Sequence, residues 1–186
     1  MANLADDFKN TLSSVISGAG DVIATTRDVA KNNIVSTLQA SGDVAGQTVN
    51  TVASVISEGV NAASSVGVSV TEAVSGLVRG VIDGVKEVGG DIGGATTEAA
   101  SYAVKSVNTV GGDVGEAAVF AVKGAVAAAG DIGADSGELA KNAVVGTLKA
   151  ADEIGSETGS LVRKALLNAA ALPHDVIDAL LTGKTE

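Results

Sequence analysis

The chain has 186 residues, 46% of them hydrophobic but only 2% aromatic, with 24 glycines, one proline, no cysteine and a net charge of −10. The lack of cysteine excludes disulfides and thiolate metal sites, and an acidic balance without clustered Lys and Arg makes nucleic acid an unsuitable partner. An apolar fraction drawn from Ala, Val, Ile and Leu lacks the large side chains that fill a conventional domain centre and suits thin seams between helices.

The first ten residues carry Asp6 and Asp7 and lack the basic-then-apolar order of a secretory signal, and no run of about 18 apolar residues occurs anywhere. The expected location is cytoplasmic, or peripheral to a membrane or inclusion. Leu4, Phe8, Leu12, Val15, Ile16 and Ala19 recur at spacings of three and four, which predicts an amphipathic helical segment over 1–19.

From Gly20 to Pro173 the chain repeats every eleven residues without insertion or deletion. The third position of successive segments includes Val44, Val55, Val66, Leu77, Val88, Val110, Ile132 and Ile154, and the eleventh includes Val52, Val74, Val85 and Val107. Eleven residues fit three helical turns at about 3.67 per turn, so these columns share one face, the predicted helix-packing face. No proline interrupts the region 20–172. Each glycine, however, costs a helix about 1 kcal/mol relative to alanine. Such a helix needs an outside surface, a partner helix or a lipid layer, to hold it.

A slower rhythm of 22 residues lies on top. Gly67, Gly89, Gly111, Gly133 and Gly155 alternate with Val78, Ala100, Val122, Val144 and Leu166. Glycine pairs four apart, Gly89 and Gly93, Gly111 and Gly115, Gly133 and Gly137, Gly155 and Gly159, predict a ladder of close helix approaches. The same segments support another reading, in which Gly89-Gly90 and Gly111-Gly112 break the helix into hairpins. Both readings give an all-α fold of hendecad-repeat helices, assembled as a bundle, tube or filament. Charged residues band in step with this rhythm. Asp131, Asp135 and Glu138 precede Lys141 and Lys149, and Asp152, Glu153 and Glu157 precede Arg163 and Lys164. Parallel copies shifted by one segment would set acid against base.

After Ala171 the pattern changes. Pro173 suits a first helical position, and Val176, Ile177, Leu180 and Leu181 predict a short docking helix within 173–186 that folds back or meets a partner. His174, the only histidine, lies beside Asp175, but neighbours on a helix do not face each other and no nucleophile is placed near them. Asp91, Asp113, Asp135 and Glu157 also recur every 22 residues, yet roughly 33 Å per step along one helix prevents them from converging on a cation. No catalytic, metal or cofactor site is expected.

Residues 86–110, with Val, Gly, Ala, Thr and Glu at eleven-residue spacing, resemble the lipid-binding repeats of synucleins and perilipins. They are similar in style to late embryogenesis abundant proteins and, more distantly, to phasins. The resemblance implies a conditionally helical protein lying on a lipid or granule surface. The chain lacks the lysine-rich consensus of synucleins and is acidic, which favours neutral droplets or granules over anionic bilayers. The first functional expectation is a non-catalytic scaffold that self-associates through its small-aliphatic stripe into a homo-oligomer or filament, whose narrow lumen could admit lipid or quinone. The alternative is a peripheral helix coating a lipid, droplet or granule surface.

Overall fold

Val88 ends one helix, Gly89 and Gly90 turn the chain, and Asp91 starts the next helix. This junction explains the 22-residue rhythm. Gly89 takes a left-handed conformation with φ 74°. The amide of Gly90 donates to the Val85 carbonyl at 2.9 Å and that of Gly89 to the Lys86 carbonyl at 3.1 Å, a Schellman closure of the helix end. Asp91 then accepts the Gly94 amide at 3.1 Å as an N-cap. Gly111, Gly112 and Asp113 repeat the device, with Gly112 donating to the Val107 carbonyl at 2.9 Å and Glu116 to Asp113 at 2.9 Å. Further along, Gly133 and Asp135 do the same, with Glu138 donating to Asp135 at 2.9 Å.

The computed structural model describes residues 3–17, 20–169, 172–174, 177 and 178. Among them are eight α-helices and no strand: α1 Leu4–Ser17, α2 Val22–Ser41, α3 Val44–Val66, α4 Val70–Glu87, α5 Ile92–Thr109, α6 Val114–Ile132, α7 Ser136–Ile154 and α8 Ser156–Asn168. The region of the eleven-residue repeat is thus not one rod. Two eleven-residue segments form one helix plus its turn.

Short connections make successive helices antiparallel, and the contacts sort them into two rows. Helices α1, α3, α5 and α7 lie side by side in one row, and α2, α4, α6 and α8 in the other. Each helix also touches its chain neighbours across the rows. Within a row helices run parallel: Gly76, Gly80 and Gly84 of α4 pass Ile23, Arg27 and Lys31 of α2 in order. Likewise, Gly93 and Gly146 mark the path of α5 beside α7, next to Asn142 and Thr97 respectively.

Energetics favour this folding back. Each junction interrupts helix hydrogen bonds, but its caps restore several of them at about 1 kcal/mol each. Burying one valine or leucine side chain gains about 1.5–3 kcal/mol, and every unit buries several. A single core runs from Phe8 to Ile177. The apolar stripe is therefore covered by the chain's own helices, and the expected need for an outside surface is met internally.

Candidate functional site

The predicted packing face divides by position in the helix. Val52, Val55, Val74, Leu77, Val85 and Val107 lie within helices and are fully buried. Val44, Val66, Val88, Val110, Ile132 and Ile154 stand at helix ends, half-buried but packed against the core. The split follows from the rhythm: residues spaced by 22 fall at equivalent places in successive units, here the junctions.

The predicted glycine ladder needs correction. Gly89, Gly111 and Gly133 are left-handed caps, and no atom would meet a side chain added at any of them. Gly155 also faces open space, at the α7–α8 junction, while Gly137 sits in the first turn of α7. Gly93, Gly115 and Gly159 approach side chains only: Asn142, Leu161 with Ala165, and Asp152 with Arg163. The backbone crossings use other glycines. A Cβ on Gly80 would overlap the Arg27 carbonyl, one on Gly76 the Ile23 carbonyl, and one on Gly84 would lie 2.8 Å from the Ile34 side chain. A Cβ on Gly124 would come within 2.5 Å of the Ser75 carbonyl oxygen, and one on Gly146 would overlap that of Thr97. The spacing of Gly76, Gly80 and Gly84 is the sequence signal that marks the tight α2–α4 seam.

Between the N-terminal halves of α3 and α5 the odd-numbered row opens into a groove of about 620 Å³. Ser106 donates to Ser57 at 3.2 Å and ties the two helices further along. At the open end the walls are small: Ala45, Ala95, Gly90 and Gly94, with Val44 and Val49 supplying apolar surface. Val49 is 46% exposed there. The polar lining is sparse. Thr48 and Thr97 turn their hydroxyls onto their own helices, to the Val44 and Gly93 carbonyls. Asp91 caps α5, and Glu98 enters no ion pair among the described residues. Neither Lys nor Arg lines the groove.

A second, smaller cleft of about 340 Å³ crosses the even-numbered row and is charged on all sides. Arg27 holds Asp83 at 2.7 Å and reaches Asp131 at 3.6 Å, Arg79 holds Asp131, and Lys31 pairs with Glu87 at 2.8 Å. The network joins α2, α4 and α6. The Arg79 guanidinium, through its hydrogen bond, holds the Asp131 carboxyl below the usual aspartate value, and Asp131 in turn raises Arg79. Asp83 is almost wholly buried, and its second oxygen, Oδ1, has no hydrogen-bond partner among the described residues. We read this cleft as a clamp between helices. Three carboxylates line it beside Arg27, Lys31 and Lys86, and Arg79 brings a fourth cation to Asp131.

The charge bands also meet inside the chain, as Lys105 pairs with Glu153 at 2.6 Å and Arg163 with Asp152 at 2.7 Å. Of the predicted docking helix, Ile177 is buried in the core, while Val176, Leu180 and Leu181 lie outside the described residues. His174 is exposed. Among the described residues no group of His, Cys, Asp and Glu could hold a metal ion. No helix there is long and apolar enough to cross a membrane. No family model and no curated protein matches this chain.

Proposed function

We propose that the chain is a non-catalytic helical scaffold that carries an apolar guest in the groove between α3 and α5. The observation behind this reading is the groove itself, whose volume falls within the range of small-ligand pockets and whose walls are mostly apolar with few polar groups. The scaffold role agrees with a chain that devotes nearly every repeat to helix packing. Association through the apolar stripe, the assembly expected from the repeat, would compete with the chain's own core for the same side chains. The groove needs no such exchange.

The test is a titration of the full chain with 1-octanol, followed by amide chemical shifts. Shifts confined to residues around Val49, Ala95 and Glu98, and absent in Val49→Trp, support the reading. Uniform small shifts, or none, end it.

A further inference from the structure

The groove combines an apolar wall with a charge imbalance, and the imbalance bears on what enters it. Asp91 and Glu98 bring two carboxylates to the lining, and no lysine or arginine is among the lining residues. The N-termini of α3 and α5 also point here and oppose that charge, each worth about half a positive charge. Two half charges against two carboxylates leave the groove net negative. Asp43, capping α3 through the Gly46 amide at 3.0 Å, adds a further negative charge close by.

The two lining carboxylates differ in their freedom. Asp91 is engaged by the α5 cap. Glu98 stands two turns further along α5, half-buried, with no ion pair among the described residues. A half-buried, uncompensated carboxylate beside apolar surface gains from a donor that brings its own positive charge. An alkyl anion would meet repulsion in the same place, and a neutral alkyl chain would leave the carboxylate unanswered.

Resting on the groove as the binding site, we infer that its guest is a small apolar primary amine, with the ammonium on Glu98 and the hydrocarbon body along Val44 and Val49. The volume of about 620 Å³ suits a small molecule of this type.

The experiment compares 1-octylamine, 1-octanol and octanoate, each below its micelle-forming concentration, by calorimetry on the full chain at neutral pH. The amine binds about three- to tenfold more tightly than the alcohol, as expected for one charged hydrogen bond that is partly solvated. Octanoate binds more weakly than the alcohol. Glu98→Gln removes the preference, so that amine and alcohol bind alike. Added salt narrows the gap in the wild type. Equal binding of amine and alcohol, or a preference that survives Glu98→Gln, overturns the inference while leaving the groove as a site for neutral guests. If none of the three binds, the groove reading falls and this inference with it.

Discussion

Gly80 of α4 lies directly against the carbonyl of Arg27 in α2, so close that any side chain at this position would overlap the backbone oxygen. The contact is the middle rung of three, between Gly76 beside Ile23 and Gly84 beside Ile34. It brings α2 near enough for Arg27 to pair with Asp83, one turn further along α4. Small residues at a four-residue spacing thus position the charged clamp.

Substituting this rung separates packing from helix propensity. Alanine improves intrinsic helix propensity by about 1 kcal/mol over glycine, yet at Gly80 the obstacle is backbone and an Ala30 methyl at 2.8 Å, neither free to swing aside. We expect Gly80→Ala to destabilise by about 1–3 kcal/mol, the usual range for overpacking. Gly130, exposed near the end of α6 with nothing within 4 Å, should gain about 0.5–1 kcal/mol from the same change. Urea unfolding of the two variants checks the pair. Equal signs would show that propensity alone governs both positions.

The junctions make a second prediction. Gly111 has φ 74° with open space around it, so Gly111→Ala suffers only backbone strain, about 1 kcal/mol. Asp113→Ala removes the cap on the Glu116 amide and costs a similar amount, about 1 kcal/mol. Neither change should alter the groove between α3 and α5. Thermal midpoints falling by several degrees, with octanol titrations unchanged, are the expected result. A Gly111→Ala protein as stable as the wild type would mean that the junction tolerates a different turn.

These two sets of residues show where the sequence was readable. The all-α class followed from spacing, because valine columns every eleven residues exclude strand alternation over so long a stretch. The junctions were visible too: Gly followed two or three residues later by Asp is a C-cap and N-cap signature, and Asp113-x-x-Glu116 resembles a capping box. Exclusion of a shared cation by spacing assumes one continuous helix; in the fold Asp91, Asp113 and Asp135 instead cap three separate helices, α5, α6 and α7, a task that periodicity does not reveal. Periodicity alone could not say whether the stripe is covered by another molecule or by the same chain, since both need the same columns. The decision rests on whether Gly89 and Gly111 turn left-handed. The groove was not legible at all. Val49 and Glu98 come from separate helices with a third between them, and no local pattern announces that α3 and α5 part at one end.

Asp131 supplies a pH-dependent prediction. Its hydrogen bond from Arg79, aided by the charges of Arg79 and Arg27, holds its carboxyl below the ordinary aspartate value of about 3.9. A group whose folded value is depressed stabilises the fold while ionised. Its contribution is complete above the unfolded value and is lost as the pH falls through the folded one. Because Asp131 remains 30% exposed, the contribution is about 0.5–1 kcal/mol at neutral pH. The difference in unfolding free energy between wild type and Asp131→Asn should therefore stay constant from about pH 7 to pH 5 and shrink below about pH 4. Denaturant titrations at stepped pH measure it. A difference that widens towards acid would contradict the assigned pairing.

The last prediction concerns the lipid dependence that the synuclein-like pattern implies. A conditional amphipathic helix is disordered in water because its stripe has nothing to cover it. Here the stripe residues Val55, Leu77, Val85 and Val107 are at most 1% exposed, and each is covered by helices of the same chain. We therefore expect folding to require neither lipid nor polymer surface. Circular dichroism should show a strongly helical spectrum in plain buffer, with one cooperative thermal transition and no gain on adding neutral vesicles or oil droplets. A spectrum that becomes helical only with lipid would mean that the hydrocarbon layer replaces the second row of helices, and the paired-row packing would then not be the state in solution.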